Sequence, residues 1–562
     1  MATTTRPAPA PALEETHWYE RPYLAALVLA ALLISLLLLT HPMGFLSTDV
    51  GGKLATLEAM ERNGGVSPDL GYWAADVDPD GSLYPMFRTS RVGDTWVNVT
   101  TVPMLLLALP LYLLGGAVAA GLIPVAGTVA AALGARALAR RLGADGTAAF
   151  WIVGAASPLT IYALDFWEHS LGVALMVWAV ALALDASQPD GRARGAVVVG
   201  VLFGLAAAMR QEALVYGFVT GAALGTRLLV GGRLLGALAR GGALLLGFAA
   251  AFAANSVLED LVIGDSRRAG RSAGTASRVG GDLALRAEEA VMTLASPFAR
   301  SQAVYLVLAL VLLGGLVELG RRADLDGDSV RPIALVVGAI GALLVADIAA
   351  SGMSFVPGLA ATTPVAALAL GRRWGTGDQR LVAAIAVGSL PLVWAVQYTG
   401  GAGPQWGGRY ILLTGTLLTV LATVVLRSER ERIVLRRVAF AGAAVTLIGV
   451  AWTVQRTHGF ADAVQALADR DEPVLVFHDP HLAREGGVLV LDEQWFAATG
   501  EEERAEAADA LATIGVDEIG FVQHDRGDEP IVLPGWEVVA EDRVPLVSGL
   551  SLLVSTQVPA DT

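Results

Sequence analysis

From Pro22 to Gln455 the chain is a succession of Leu-, Ala-, Val- and Gly-rich runs separated by short charged stretches; after Gln455 the pattern becomes that of an ordinary soluble domain. A helix needs about 20 mostly apolar residues to cross a bilayer. Segments of that kind fall at 23–40, 118–137, 148–164, 169–186, 196–213, 214–231, 239–256, 303–320, 333–350, 357–371, 381–398, 410–427 and 438–455, which predicts about thirteen transmembrane helices. The first ends at Thr40-His41-Pro42 without a small-residue cleavage site, so it reads as a spanning helix and not as a signal peptide. The stretch 102–117 is also apolar, but it holds Pro103 and Pro110 and runs straight into the next segment. A re-entrant or interfacial helix fits it better than a full span.

Arginines sort the short loops by side. Arg136, Arg140 and Arg141 cluster, as do Arg192 and Arg194; Arg227, Arg233 and Arg240; Arg321 and Arg322; Arg372, Arg373 and Arg380; and Arg427, Arg430, Arg432, Arg436 and Arg437. With thirteen spans, and 102–117 left out, all these clusters fall on one side, which the positive-inside rule makes cytoplasmic. The loops 41–101, 165–168, 257–302, 351–356 and 399–409 then lie outside, with everything after Gln455. Loop 257–302, with Arg267, Arg268, Arg271, Arg278, Arg286 and Arg300, breaks the bias, as long loops do.

The expected fold class is therefore a polytopic α-helical protein of the plasma or inner membrane with a small extracytoplasmic α/β domain at its end. Residues 1–22 form a disordered cytoplasmic N-terminus, 23–455 the transmembrane domain with outer loop 41–101 carrying membrane-surface helices, and 456–562 the soluble domain. In that domain, strand-type runs occur at Val474–Phe477, Val488–Leu491, Glu518–Val522, Trp536–Val539 and Leu552–Ser555, and a helix is expected from Glu501 to Ile514, stopped by Gly515.

Composition narrows the chemistry. Only 16% of residues are charged, well below the roughly 25% of a soluble domain. The net charge is -14, so a basic nucleic-acid footprint is absent. There is no Cys, which excludes disulfides, thiolate metal sites and a Cys nucleophile. What remains is carboxylates and arginines at the outer ends of the spans. Ser47-Thr48-Asp49 opens the first outer loop, with Lys53 one helical turn on. Asp49 suits a helix N-cap, and a partly desolvated carboxylate there also suits a general base for an acceptor hydroxyl. Asp165-Phe166-Trp167-Glu168-His169 joins two spans in a few residues, either as a solvated turn with an interfacial Trp or as a second acidic pair of a site. Arg210 and Glu212 lie at a break between apolar segments, where charged groups usually pair or bind ligand. Trp406-Gly407-Gly408-Arg409-Tyr410 leads into another span; Arg409 is either an interfacial anchor or a bidentate phosphate ligand. His478-Asp479-Pro480-His481 in the tail reads as an incidental pair of histidines.

Taken together and in chain order, these positions resemble the GT-C superfamily, membrane glycosyltransferases that use polyprenyl-phosphate sugars and include protein mannosyltransferases and the lipid A aminoarabinose transferase. The likeness runs from the first helix to about residue 427. It is carried by Asp49 just after that helix, by Asp80-Gly81-Ser82-Leu83-Tyr84-Pro85 with Leu109-Pro110-Leu111-Tyr112, by Ala156-Ser157-Pro158-Leu159 through Glu168, by Arg210-Gln211-Glu212, and by Gly408-Arg409-Tyr410. The first loop has Asp-Val where the mannosyltransferases have Asp-Glu, and Arg-Gln-Glu stands in place of a Thr-Lys motif. The resemblance implies an inverting transfer from a polyprenyl-phosphate-linked sugar to an envelope glycan, lipid or protein at the outer membrane face. Asp49, Asp165 and Glu168 would be catalytic. Arg409, Arg210 and Lys53 would bind the donor phosphate. His169, Glu212, Tyr410, Trp406 and Arg88 would position substrate. A divalent cation, Mg or Ca, would suit Asp49 and Glu168. The competing expectations are a transporter or flippase of a lipid-linked saccharide, with mid-span ionisable residues and related halves, and a non-catalytic membrane scaffold.

Overall fold

The computed structural model describes residues 20–44, 48–98, 101–188, 191–265, 283–295, 303–322, 327–350, 357–397, 406–424, 429–547 and 549–560. It is a bundle of apolar helices with an α/β body standing on one end. Among the described residues, seven helices are long and apolar enough to cross a membrane: Val102–Ala120, Leu122–Arg141, His169–Ala186, Glu212–Val230, Leu234–Ile263, Gly377–Val396 and Glu429–Ala468. Shorter apolar helices, among them Pro22–Leu37, Gly146–Ala155, Ala193–Met209 and Arg409–Thr423, complete the bundle. Several expected spans are broken. The segment 148–164 is two helices, Gly146–Ala155 and Pro158–Tyr162, because Ser157 caps the second by accepting from Leu159 N and Pro158 takes its first position. The segment 357–371 is likewise split, into Leu359–Thr362 and Pro364–Leu370.

The stretch expected to lie at the surface is part of the helix Val102–Ala120, long enough to span by length and composition. Its backbone nevertheless leaves helical geometry at Gly115 (φ -160°, ψ 24°) and Gly116 (φ 62°, ψ -152°). The piece before that break is only about 20 Å long at ~1.5 Å per residue, short of a ~30 Å hydrocarbon core.

Where helices meet closely, they do so through glycine. A Cβ on Gly200 would come within 2.0 Å of the Leu244 carbonyl oxygen, and one on Gly247 within 2.2 Å of that of Val197. Lipid gives no hydrophobic drive between helices, so close backbone packing of this kind holds membrane bundles together.

The last membrane helix does not stop at residue 455. Glu429–Ala468 is one helix of 40 residues, roughly 60 Å long, and its end beyond the apolar stretch enters the tail. The tail sheet has the order β4-β3-β5-β7-β6, with β3 Val474–Phe477, β4 Trp495–Ala497, β5 Ile519–His524, β6 Trp536–Pro545 and β7 Ser551–Pro559. β3 runs parallel to β4 and β5, while β7 is antiparallel to β5 and β6. The helix Glu501–Ile514 ends on Gly515 in the left-handed region (φ 73°), where a glycine has no steric penalty. The expected strand Val488–Leu491 is instead part of a 3-10 turn, Gly487–Leu491. Gly487 enters it at φ 56°, and its apolar side chains pack onto the core shared with the first loop and do not extend the sheet.

The first loop and the tail are one body. The loop helix Thr48–Arg62 contributes Ala55 and Ala59, and the segment around the hairpin β1 (Thr89–Val92) and β2 (Thr95–Asn98) contributes Tyr84, Met86 and Trp96. These join Phe477, Leu482 and Trp495 of the tail and Phe460 of the long helix in a single apolar core. Ala497 N donates to Leu83 O at 2.9 Å and Trp73 Nε1 to Trp495 O at 3.1 Å across the seam.

Candidate active site

The polar residues singled out along the chain mostly meet at the end of the bundle that carries the tail. Lys53, one turn beyond Asp49 on the loop helix, is buried and forms an ion pair with Glu168 Oε2. Glu168 precedes the helix His169–Ala186, and its other oxygen accepts from Arg210 Nη1 at 3.2 Å. Arg210 sits at the break between the helices Ala193–Met209 and Glu212–Val230, and its Nε donates to Glu212 Oε1 at 2.9 Å. The Tyr410 ring is shared by two guanidinium groups, that of Arg210 at 5.5 Å and that of Arg409 at 4.8 Å, and the Tyr410 hydroxyl accepts from Arg409 Nη2 at 3.1 Å. Burying charges costs several kcal/mol per ion unless they are paired in good geometry. The interleaving of Lys53, Glu168, Arg210 and Glu212 meets that condition.

Asp49 lies in the first turn of the loop helix, where the helix dipole favours an acid. Its Oδ1 accepts from Arg484 Nη1 at 2.8 Å, yet 49% of its side chain is accessible, against 9% for Glu168. Burial pushes the Asp49 carboxyl up, but the charges of Arg484, Lys53 and Arg409 outweigh it and hold the group at about 2. Glu168 is likewise pushed up by burial and brought below the usual carboxylate range by Lys53 and Arg210. Both are ionised at neutral pH. Asp49 is thus a half-open carboxylate at the edge of a cluster richer in cations than in acids, an arrangement suited to one proton acceptor beside an anionic leaving group.

Other expected site residues take different places. Asp165 is buried, its Oδ1 accepts from Phe166 N at 3.0 Å, and it lines a cavity of about 120 Å³ with His41, Val50 and Leu54. His169 packs against Tyr162 and Trp167, centroids 4.7 and 4.9 Å away, and neither ring nitrogen has a hydrogen-bond partner among the described residues. Trp406 is buried, stacks on Trp452 at 5.7 Å, and its carbonyl accepts from the Tyr162 hydroxyl at 3.0 Å. The two glycines after it take positive φ, and a Cβ on Gly407 would lie 2.2 Å from Pro158. They therefore serve to seat Arg409 and Tyr410 against the bundle. Arg88 is exposed at the rim, with φ 66° and its guanidinium 5.1 Å from the Phe87 ring; its charge reaches Arg484. Of loop 257–302, Arg267, Arg268, Arg271, Arg278 and Arg300 lie outside the described residues.

Asp49 and Glu168 would be the oxygens for a divalent cation, but Asp49 faces Arg484 and Glu168 faces Lys53 and Arg210. That donor set does not fit a cation in this arrangement, and among the described residues no group of three or more His, Asp or Glu side chains is placed to hold one. Arg484 is the site residue that sequence reasoning missed. It lies in the tail, six residues after His478, and nothing in its local pattern points back to the first loop.

No protein-family model matches the chain, and no curated protein matches it. Among solved structures it is similar to ArnT from Cupriavidus metallidurans bound to undecaprenyl phosphate, with TM-score 0.46 and 13% identity over 94% of this chain and 98% of that one. It is also similar to the apo state of the same ArnT, with TM-score 0.39 and 15% identity over 95% of this chain and 97% of that one. A third likeness is to the Archaeoglobus fulgidus oligosaccharyltransferase complex with Zn and sulfate, with TM-score 0.39 and 14% identity over 88% of this chain and 67% of that one.

Proposed function

We propose that the chain is a GT-C-type glycosyltransferase that moves a sugar from a polyprenyl-phosphate donor to a hydroxyl of a cell-envelope acceptor, with inversion at the anomeric carbon. The observation that carries this reading is the half-open, ionised Asp49 beside Arg484, Lys53 and Arg409 at the tail end of the bundle. The acceptor oxygen attacks the anomeric carbon while Asp49 takes its proton. The bond from that carbon to the donor phosphate breaks on the opposite face, and the phosphate leaves with the electron pair. The Arg409 guanidinium meets the charge developing on the phosphate, supported by Arg210 through the shared Tyr410 ring. Glu168 orders Lys53 and Arg210. The site lies at the outer face of the plasma or inner membrane, so the lipid donor enters sideways from the bilayer.

The test supplies membranes containing the wild-type chain or Asp49→Asn with a polyprenyl-phosphate carrying a labelled sugar, and follows label into envelope fractions. The wild type transfers label. The Asn variant, which keeps an oxygen for Arg484 but is not a base, is slower by about 10²- to 10⁴-fold. Absence of transfer by the wild type to any envelope fraction ends this reading.

A further inference from the structure

The tail is joined to the candidate base by one side chain. Arg484 ends the short helix Pro480–Arg484, and its side chain is only 1% exposed. Its guanidinium forks, Nη1 donating to Asp49 Oδ1 at 2.8 Å and Nη2 to Asn98 Oδ1 at 2.6 Å. Asn98 presents that oxygen because its amide nitrogen is committed elsewhere, donating to Phe87 O at 3.1 Å and Thr89 Oγ1 at 3.0 Å. Room for the fork comes from Gly52, where a Cβ would lie 2.7 Å from Arg484 Nε and 2.5 Å from Asn98 Oδ1. The arginine is seated from its own side as well. Asp479 caps its helix by accepting from His481 N at 2.9 Å, and Phe87 N donates to Pro480 O at 3.3 Å, tying the helix to the loop.

We infer that Arg484 is a positioning residue for Asp49, so that the tail completes the site and is not an appendage to it. This rests on the transferase reading above. A half-accessible carboxylate would otherwise sample several rotamers; a planar guanidinium fixed by Asn98 selects one of them while leaving the side chain open. The same contact sets the pH range of the base. The charges that face Asp49 are Arg484 from the tail, Lys53 from its own helix, Arg409 from the far segment of the bundle, and Glu168 opposing them. Loss of the Arg484 charge removes the largest attraction, and burial then lifts the carboxyl.

The test is the transfer rate against pH for the full chain as wild type, Arg484→Gln, Arg484→Lys and Gly52→Ala. The wild type holds its rate down to the acid limit of the assay. Arg484→Gln lowers kcat and brings an acid limb into the measured range, and Arg484→Lys moves that limb part of the way back. Gly52→Ala keeps every charge and favours the helix, but its methyl displaces the guanidinium, so it shows the same limb even if Arg484→Gln fails to fold. If the wild type transfers sugar and neither Gly52→Ala nor a folded Arg484→Gln changes kcat or the profile, Arg484 has no positioning role and the transferase reading stands. If the wild type transfers nothing at any pH, both fall together.

Discussion

Asp49 and Glu168 are carboxylates of one charge cluster, and they differ in a way that separates their jobs. Glu168 is enclosed and each of its oxygens meets a cation, Lys53 on one side and Arg210 on the other. Asp49 has a guanidinium on Oδ1 and nearly half of its side chain open. A buried acid with two cationic partners has no room for a hydroxyl and is fitted to hold those partners in place. An open acid is fitted to meet a substrate. Both are held ionised, so the difference lies in access and not in charge. Charge alone therefore does not distinguish the two acids; depth and partners do.

The largest expected effect is at Glu168. Glu168→Gln leaves Lys53 and Arg210 buried without their shared counter-charge, a loss of about 3–5 kcal/mol, and thermal unfolding in detergent should show a much lower midpoint. A variant with wild-type stability would make Glu168 as dispensable to the fold as an exposed acid. Next is Arg409→Lys, which keeps the charge but loses the planar fork and its place on the Tyr410 ring. It should raise the KM for the lipid donor roughly tenfold, about 1.4 kcal/mol, with little change in the unfolding midpoint. An unchanged KM would remove Arg409 from the donor site.

Glu485, next to Arg484, offers a smaller test. It is buried, 3.7 Å from Arg456, with one oxygen unpartnered among the described residues, and burial pushes its carboxyl up to about 8 against the nearby Arg456 charge. A carboxyl raised in the folded state contributes stability that is full below its unfolded value, near 4.5, and is lost as pH rises through about 8. Tail unfolding followed by proteolysis should show the wild type weakening across that window and Glu485→Gln staying flat; parallel curves would show that Glu485 ionises freely. The smallest effect belongs to Arg62, whose pair with Asp492 also joins loop to tail but is largely exposed. Arg62→Ala should cost under about 1 kcal/mol and leave transfer unchanged, so that a large loss there would move the seam's strength away from Arg484.

The helices are readable in the sequence because a run of about 20 apolar residues is long enough to cross a bilayer and too apolar for a solvated surface. Lys53, Glu168, Arg210 and Arg409 are readable too, since charges at the ends of such runs must pair or bind. Arg484 is not readable in this way. It is 435 residues from Asp49, and only the packing of Tyr84, Met86 and Trp96 against Phe477 and Trp495 brings the two together. Asp165 and Trp406 share their neighbours' polar or aromatic character, yet Asp165 lines a cavity beside His41 and Val50 while Trp406 stacks on Trp452. The run Val488–Leu491 illustrates a third limit. Four apolar residues beside glycines suit a strand or a tight turn equally, and the core they reach decides between them.

If Asp49 is the open base, transfer depends on its carboxylate. The direct measurement is sugar transfer by purified Asp49→Asn alongside its unfolding midpoint, against the wild type. The expected variant stays folded but unfolds at a lower midpoint, since the buried Arg484 loses its counter-charge, and it transfers label about 10²- to 10⁴-fold more slowly; a folded variant that transfers at the wild-type rate shows that Asp49 is not the base.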